Sequence, residues 1–224
     1  MTFVATPGLS LPGVDNTPQI CDMGPLFSKE DQAIIDADWN EKNPNGNNGT
    51  VFAAEVFQNG RMIYIWKTSF AARQSRGKLI KGVYVPNFKT TNIASFGKTE
   101  DGEFVSGHHL RAKKDYPFAG ILDGKDLAQH AKREILEESG LEARSLRIVG
   151  IVYDDKQRTI NFVGLFDAPS REECERLFAQ RSDPDQEMGH LVFYPMSVEG
   201  IKKVVSENDS WPYLEESLLA ALNM

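Results

Sequence analysis

Apolar residues recur along the chain at two spacings, and the change from one to the other marks out most of its elements. Strand-like runs at Val51 to Phe57 and Met62 to Trp66 flank Asn59-Gly60, the dipeptide best suited to a two-residue turn, so a β-hairpin is predicted there. Strands are also predicted at Leu146 to Tyr153 and Thr159 to Phe166, separated by an Asp-Asp-Lys-Gln turn, and at Leu191 to Tyr194. Helical spacing predicts a helix over Ser28 to Trp39, with Ser28 as cap and Ile34, Ile35 and Trp39 on its apolar side. Further helices are predicted over Asp126 to Ser139, Arg171 to Gln180 and Trp211 to Leu222, the last with Ser210 as N-cap and Pro212 in its first turn. Between these elements the pattern weakens. Residues 1 to 27, dense in Pro and Gly, read as an arm or loop, and Asn43 to Asn48 as a turn. From Phe70 to Lys114 only one strand is predicted, around Gly82 to Pro86, with a turn at Gly97 to Gly102.

Helices and strands interleave with no low-complexity linker or internal repeat, which fits one α/β domain around a mixed sheet. The expected division is an N-terminal arm and short helix over 1–48 and a main domain over 49–224.

Composition narrows the class. With 41% hydrophobic and 25% charged residues the chain is not broadly disordered, and a net charge of −7 disfavours a nucleic-acid backbone as its partner. Two cysteines, Cys21 and Cys174, are too few and too far apart for a disulfide scaffold or a thiolate metal site, which points to a reduced, cytoplasmic setting. The N-terminus shows no secretory pattern, and no apolar run is long enough to cross a bilayer, so no membrane role is expected. Against the acidic whole, residues 73–114 carry Arg73, Arg76, Lys78, Lys81, Lys89, Lys98, Arg111, Lys113 and Lys114 but only Glu100, Asp101 and Glu103. This basic insertion is either a lip that draws in an acidic or polyphosphate ligand, or a solvated segment whose charges keep it soluble. His108-His109 lies within it and, without a second ligand pair, reads as a surface feature. The aromatics Trp66, Tyr84, Phe88 and Tyr116 suit either a stacking surface or the core. In the last predicted helix, Leu214, Leu218 and Leu222 form an apolar side for its own core or for a second subunit of a homodimer.

The chemistry concentrates on the helix 126–139. Asp126 suits its N-cap, with Gln129 three residues on, and Gly140 suits a left-handed C-cap followed by the apolar Leu141. At ~100° per residue, Ala128, Ala131 and Ile135 share a face that can bury against a sheet, while Glu134, Glu137 and Glu138 gather on an adjacent arc beside Arg133. Carboxylates this close repel each other unless a cation sits among them, and hard divalent ions such as Mg²⁺ favour such oxygens together with substrate phosphates. An acidic stripe is commonly no more than a solvated face. What sets this one apart is the entry loop, where Ala119-Gly120 and Asp123-Gly124 let the backbone pass close to a metal or phosphate directly before the helix.

Arg133-Glu134-Ile135-Leu136-Glu137-Glu138-Ser139-Gly140-Leu141 resembles the second half of the Nudix box, Arg-Glu-apolar-any-Glu-Glu-any-Gly-apolar, at every fixed position. The first half departs: counting back from Arg133, the box glycine falls on Ala119 and its glutamate on Lys125, whereas starting from Gly120 reaches an acid, Asp126, but leaves only six residues before Arg133. In the family that glutamate supports the arginine and the helix entry. The resemblance implies a layered α/β/α sandwich around a mixed β-sheet. It also implies a hydrolase that cleaves the diphosphate linkage of a nucleoside diphosphate joined to another moiety. By the same resemblance Glu134, Glu137 and Glu138 hold Mg²⁺ or Mn²⁺, Arg133 orients them, and the Ala119 carbonyl adds a ligand. Many members recruit a further glutamate from a loop before a late strand as ligand or base. Glu187 stands in that context, with Asp183, Asp185 and Asp154-Asp155 as alternatives. A catalytically weak module that reads a nucleotide ligand, as sensor or regulator, is the competing expectation. The moiety beyond the nucleoside diphosphate is not legible in the residues.

Overall fold

The computed structural model describes residues 2–5, 19–57, 62–123, 126–181 and 187–223. In chain order these form β1 (Thr2–Ala5), β2 (Gln19–Pro25), α1 (Lys29–Lys42), β3 (Thr50–Phe57), β4 (Met62–Ser69), α2 (Phe70–Gln74), β5 (Leu79–Ile80) and β6 (Val83–Tyr84). There follow β7 (Lys89–Lys98), β8 (Glu103–His109), β9 (Lys114–Tyr116), β10 (Phe118–Ile121), α3 (Leu127–Ser139), β11 (Leu146–Asp154), β12 (Thr159–Asp167), α4 (Arg171–Gln180), β13 (Met188–Pro195), α5 (Val198–Glu207) and α6 (Leu214–Leu222).

The helix boundaries follow the side chains that satisfy exposed backbone donors. Ser28 accepts from the Asp31 N–H to start α1, Asp126 accepts from Ala128 and Gln129 N–H to start α3, and Gly140, at φ 73°, ends α3 in the left-handed conformation. The last helix corrects the reading of its cap. It begins at Leu214 with Tyr213 as N-cap and no side-chain hydrogen bond, while Ser210 instead bridges to Asp115 and Trp211 N–H donates to the Asp115 carbonyl.

β7 organises the sheet. Along one edge it pairs in parallel with β12, from Thr90↔Thr159 to Lys98↔Asp167. Its other edge is taken in turn by β3 at Lys89 and Thr90, by β10 at Asn92 to Ser95, and by β8 at Gly97 and Lys98. Among the described residues the sheet has eleven strands, with a path β1-β11-β12-β7-β3-β4-β2 and the parallel pairs β7–β12 and β2–β4 among antiparallel ones. It is therefore mixed.

Several of these strands are absent from the periodicity. β7 and β8 lie within the charged stretch 73–114, because Lys-Thr-Thr-Asn-Ile-Ala-Ser-Phe-Gly-Lys offers no alternation; Thr90, Thr91 and Ser95 are buried there as completely as Ile93 and Phe96. β1 pairs with β11 and β2 with β4, so part of the proline-rich N-terminal stretch is strand and not loop. The short hairpin β5–β6 stands where a single strand was predicted, and α5 follows β13 unannounced. The predicted hairpin strands are present as β3 and β4; their Asn59-Gly60 turn lies outside the described residues.

Helices cover both faces. On one, Leu127 and Ala131 of α3 bury against Phe52, Ala54, Ile65, Ile93 and Phe162. On the other, Leu214 and Leu218 of α6 bury against Ala94, Phe96, Val163 and Leu165, so the leucines of α6 are covered by the chain's own core. Burial of this kind contributes about 25 cal/mol per Å² of apolar surface. The arrangement is an α/β/α sandwich, with the acid-bearing helix on one outer layer. Among the described residues no helix is long and apolar enough to cross a membrane.

Candidate functional site

The site is built where α3 lies against β10. Successive residues of a strand direct their backbone groups to opposite edges. Leu122 N–H donates to the Thr91 carbonyl on the β7 side, and Ala119 N–H turns the other way and donates to Glu138 Oε2 at 2.9 Å. Glu138, 6% exposed, thus takes the place of a strand neighbour and is fixed by doing so. The Ala119 carbonyl, on the same residue, faces the same edge.

Glu134 lies one turn earlier, against Gly120. A Cβ at position 120 would overlap the Glu134 carboxyl group, so the bare glycine is what lets that side chain lie along the strand. Glu137 faces outward, its side chain 55% exposed.

Arg133 ties the outer acids together. Its Nη2 lies 2.8 Å from Glu134 Oε1, its Nε 4.0 Å from Glu137 Oε1, and its Nη1 2.8 Å from Asp123 Oδ2. The hydrogen bond it donates to Asp123, opposed by partial burial and assisted by Glu134, raises the guanidinium further above its already high value. Partial burial pushes the Asp123 carboxyl up, but its hydrogen bonds and charge contacts with Arg133 and His130 outweigh that, and the net direction is down. His130 is buried beside them, with Nδ1 3.0 Å from Asp123 Oδ1 and 2.9 Å from Arg133 Nη2. Among the described residues its Nε2 meets no hydrogen-bond partner, and it lies 3.7 Å from Glu134 Oε1.

Arg133, Glu134 and Glu137 are therefore joined directly, and Glu138 shares with Glu134 the backbone of Ala119-Gly120. Glu187 sits apart in its contacts: it precedes β13, its carbonyl accepts from Leu110 N–H, and its carboxylate lies 3.7 Å from Arg111 Nη1 in the β8–β9 turn. Asp154 and Asp155 have structural partners, the Gln157 N–H and Lys89 respectively. Asp183 and Asp185 lie outside the described residues. Asp123 and His130 were not singled out from sequence as site residues. The available signal was an acid in the loop before the helix, short of the position where the box places one.

Much of the basic surplus of 73–114 is engaged locally. Lys81 pairs with Glu41, Lys89 with Asp155 and Lys114 with Asp209, and Arg76 donates to the carbonyls of Phe88, Gln157 and Arg158. Burial, with Arg73 and Arg158 nearby, lowers Arg76 to about 10. His108 holds the buried Asp115 at 2.9 Å, and His109 Nδ1 accepts from Arg111 and Ala112 N–H.

A cavity of about 640 Å³ opens at the start of β7, lined by Trp66, Phe88 and Tyr153 with Glu55, Asn87 and Lys89 among its polar groups. Leu122 bonds to Thr91 only two residues from Lys89, so the loop leading into α3 passes that same end of β7. The cavity also shares Ala54 and Ile160 with the core beneath α3. Ligand sites commonly combine such an apolar lining with a few polar groups.

No protein-family model matches the chain, and no curated protein matches it. Solved structures do. Tm1382, described as a putative Nudix hydrolase, superposes with a TM-score of 0.51 at 10% identity, over 79% of this chain and 99% of that one. A Nudix-family hydrolase from Clostridium perfringens gives 0.46 at 19% identity, over 60% and 97%. The Nudix domain of Shewanella oneidensis NrtR, crystallised with ADP-ribose, gives 0.47 at 8% identity, over 60% and 87%. The Tm1382 likeness establishes the fold: a Nudix fold, with its mixed sheet and covering helices.

Proposed function

We propose that this chain is a Mg²⁺- or Mn²⁺-dependent hydrolase that cleaves the diphosphate linkage of a nucleoside diphosphate joined to another moiety. The observation that carries the reading is the seating of Glu134 and Glu138 against the backbone of Ala119-Gly120, with Arg133 between the outer acids.

The donor set suits a hard divalent ion. Its candidates are carboxylate oxygens and one carbonyl, Gly120 leaves the close approach that Glu134 uses, and a cation already stands among three of the acids as the Arg133 guanidinium. Among the described residues no three acidic, His or Cys side chains form a ready-made cage as they stand, so a bound ion would have to draw the rest of its shell from substrate phosphates and water. Glu134, Glu137 and Glu138 would hold the ion, which when bound supplies neutralisation of the diphosphate and a more acidic water.

The chain's own residues do the rest. Glu138, held by a main-chain amide, fixes one side of the site, and the exposed Glu137 is free to turn towards an arriving ligand. Arg133 neutralises the acids and orients Glu134. Glu187 is our candidate base, taking the proton of a water that attacks one phosphorus while the bridging oxygen leaves with the other phosphate. The aromatic cavity of Trp66, Phe88 and Tyr153 receives the organic moiety by stacking.

Glu137→Gln and Glu138→Gln should each lower kcat by roughly 10²-fold or more, the scale expected when a charged group acting in the transition state is removed. Circular dichroism should show the fold retained. The assay is a panel of nucleoside triphosphates, ADP-ribose, NADH, sugar nucleotides and dinucleoside polyphosphates with Mg²⁺ or Mn²⁺. Undiminished turnover in both variants would remove the carboxylates from the reaction. A second reading, a nucleotide-binding module with little catalysis, draws on Arg133 already neutralising three of the acids; binding across the panel without turnover would establish it instead.

A further inference from the structure

Counting back from Arg133, the box pattern asks for its supporting acid at position 125, where this chain has lysine. The acid that meets Arg133 in space is Asp123. We propose that Asp123 has taken over the missing acid's work as a positioning residue, using the buried His130 as a second anchor to aim Arg133 and, through it, Glu134. This inference rests on the hydrolase reading above.

Asp123 divides its two oxygens. Oδ2 meets Arg133 Nη1 at 2.8 Å and Oδ1 meets His130 Nδ1 at 3.0 Å. A lone ion pair at this degree of exposure would hold geometry weakly. Here one partner is a buried ring on α3, so the carboxylate is registered against the helix and cannot drift with the arginine. Arg133 in turn spends Nη1 on Asp123 and reaches both Glu134 and His130 Nδ1 with Nη2. A guanidinium carries its donors in a fixed fork, so anchoring Nη1 dictates where Nη2 points.

Without Asp123 the guanidinium is left with Glu134, Glu137 and the contact of Nη2 with His130 Nδ1. It would then settle over both acids and compete with a divalent ion for them. Loss of Asp123 should therefore weaken metal affinity and lower kcat, with little effect on KM, because the group acts through Arg133 and not on the organic moiety.

The test uses the full chain as Asp123→Asn, Asp123→Glu and Asp126→Ala. Asp126 caps the same helix without touching Arg133, so it reports what helix fraying alone does. Three quantities are read: Mn²⁺ affinity by electron paramagnetic resonance, steady-state kcat and KM on the best panel substrate, and the Arg133 Nε–H signal by nuclear magnetic resonance. For Asp123→Asn we expect Mn²⁺ affinity and kcat to fall by roughly 10-fold or more, the scale seen for residues that orient metal ligands. KM should stay within about 2-fold, below the 10-fold that 1.4 kcal/mol of ground-state binding would give. The Arg133 signal should broaden, and Asp123→Glu should restore most of each loss. Asp126→Ala should lower Tm while leaving kcat and Mn²⁺ affinity near wild type.

The inference is overturned if Asp123→Asn matches wild type in affinity and kcat, if Asp123→Glu loses as much as Asp123→Asn, or if Asp126→Ala reproduces the losses. An Arg133 signal indifferent to Asp123→Asn overturns it irrespective of turnover. A wild-type chain that neither binds Mn²⁺ nor turns over any substrate defeats the hydrolase reading itself, and this inference with it.

Discussion

At the scale of single residues, the acids on α3 are not equivalent despite their shared helix. Glu138 is buried and bonded to a main-chain amide, Glu134 is pressed along a glycine, and Glu137 is open to water. Gly120 decides the middle case, since a methyl there would occupy space the Glu134 carboxyl now fills. Gly120→Ala should therefore displace Glu134 and cut kcat by about 10-fold or more, equivalent to ~1.4 kcal/mol of lost transition-state stabilisation, with the far-ultraviolet spectrum unchanged. A variant with full kcat would show that Glu134 need not lie along the strand. That Glu134, Glu137 and Glu138 lie on adjacent turns of one helix was legible from helical spacing. Asp123 and His130 were not, because an ion pair across a loop depends on a path that no periodicity encodes.

At the scale of elements, the two covering helices are separated by the thickness of the sheet and by their tasks. α3 presents chemistry, and α6 closes a core of Phe96, Val163, Leu165 and Trp211 with Leu214 and Leu218. Leu218→Ala should cost about 2–5 kcal/mol of unfolding free energy, as for other fully buried leucines, measured by urea denaturation. Activity per folded molecule should be unaltered. Loss of activity without loss of stability would mean that α6 contributes to the site. α4 was readable as a helix, though its Ser170 cap emerged only in the structure; α1 and α3 were readable with their caps, because Ser28 and Asp126 each satisfy a backbone donor of the first turn. β7 was not, for the opposite reason. Covered on both faces, and paired along both edges, it owes its conformation to its neighbours more than to its own threonines and serine.

At the scale of the whole molecule, an α/β domain around a mixed sheet was recoverable from the alternation of strands and helices, and its α/β/α layering from the resemblance of Arg133 to Leu141 to the Nudix box. The width of the sheet was not, because β1, β2, β8 and β10 acquire their meaning only through distant partners. The division of one β7 edge among β3, β10 and β8 has a mechanical result. Among the described residues β10 pairs with β7 along one edge, and at Ala119 an acid from the layer above meets its other edge. The carboxylate keeps further lone pairs beside that amide, so a ligand can meet Glu138 while the Ala119 N–H still holds it in place. A charge on the outer helix is thereby moored to the main chain of the sheet, and the acid most deeply embedded is the least negotiable of the three.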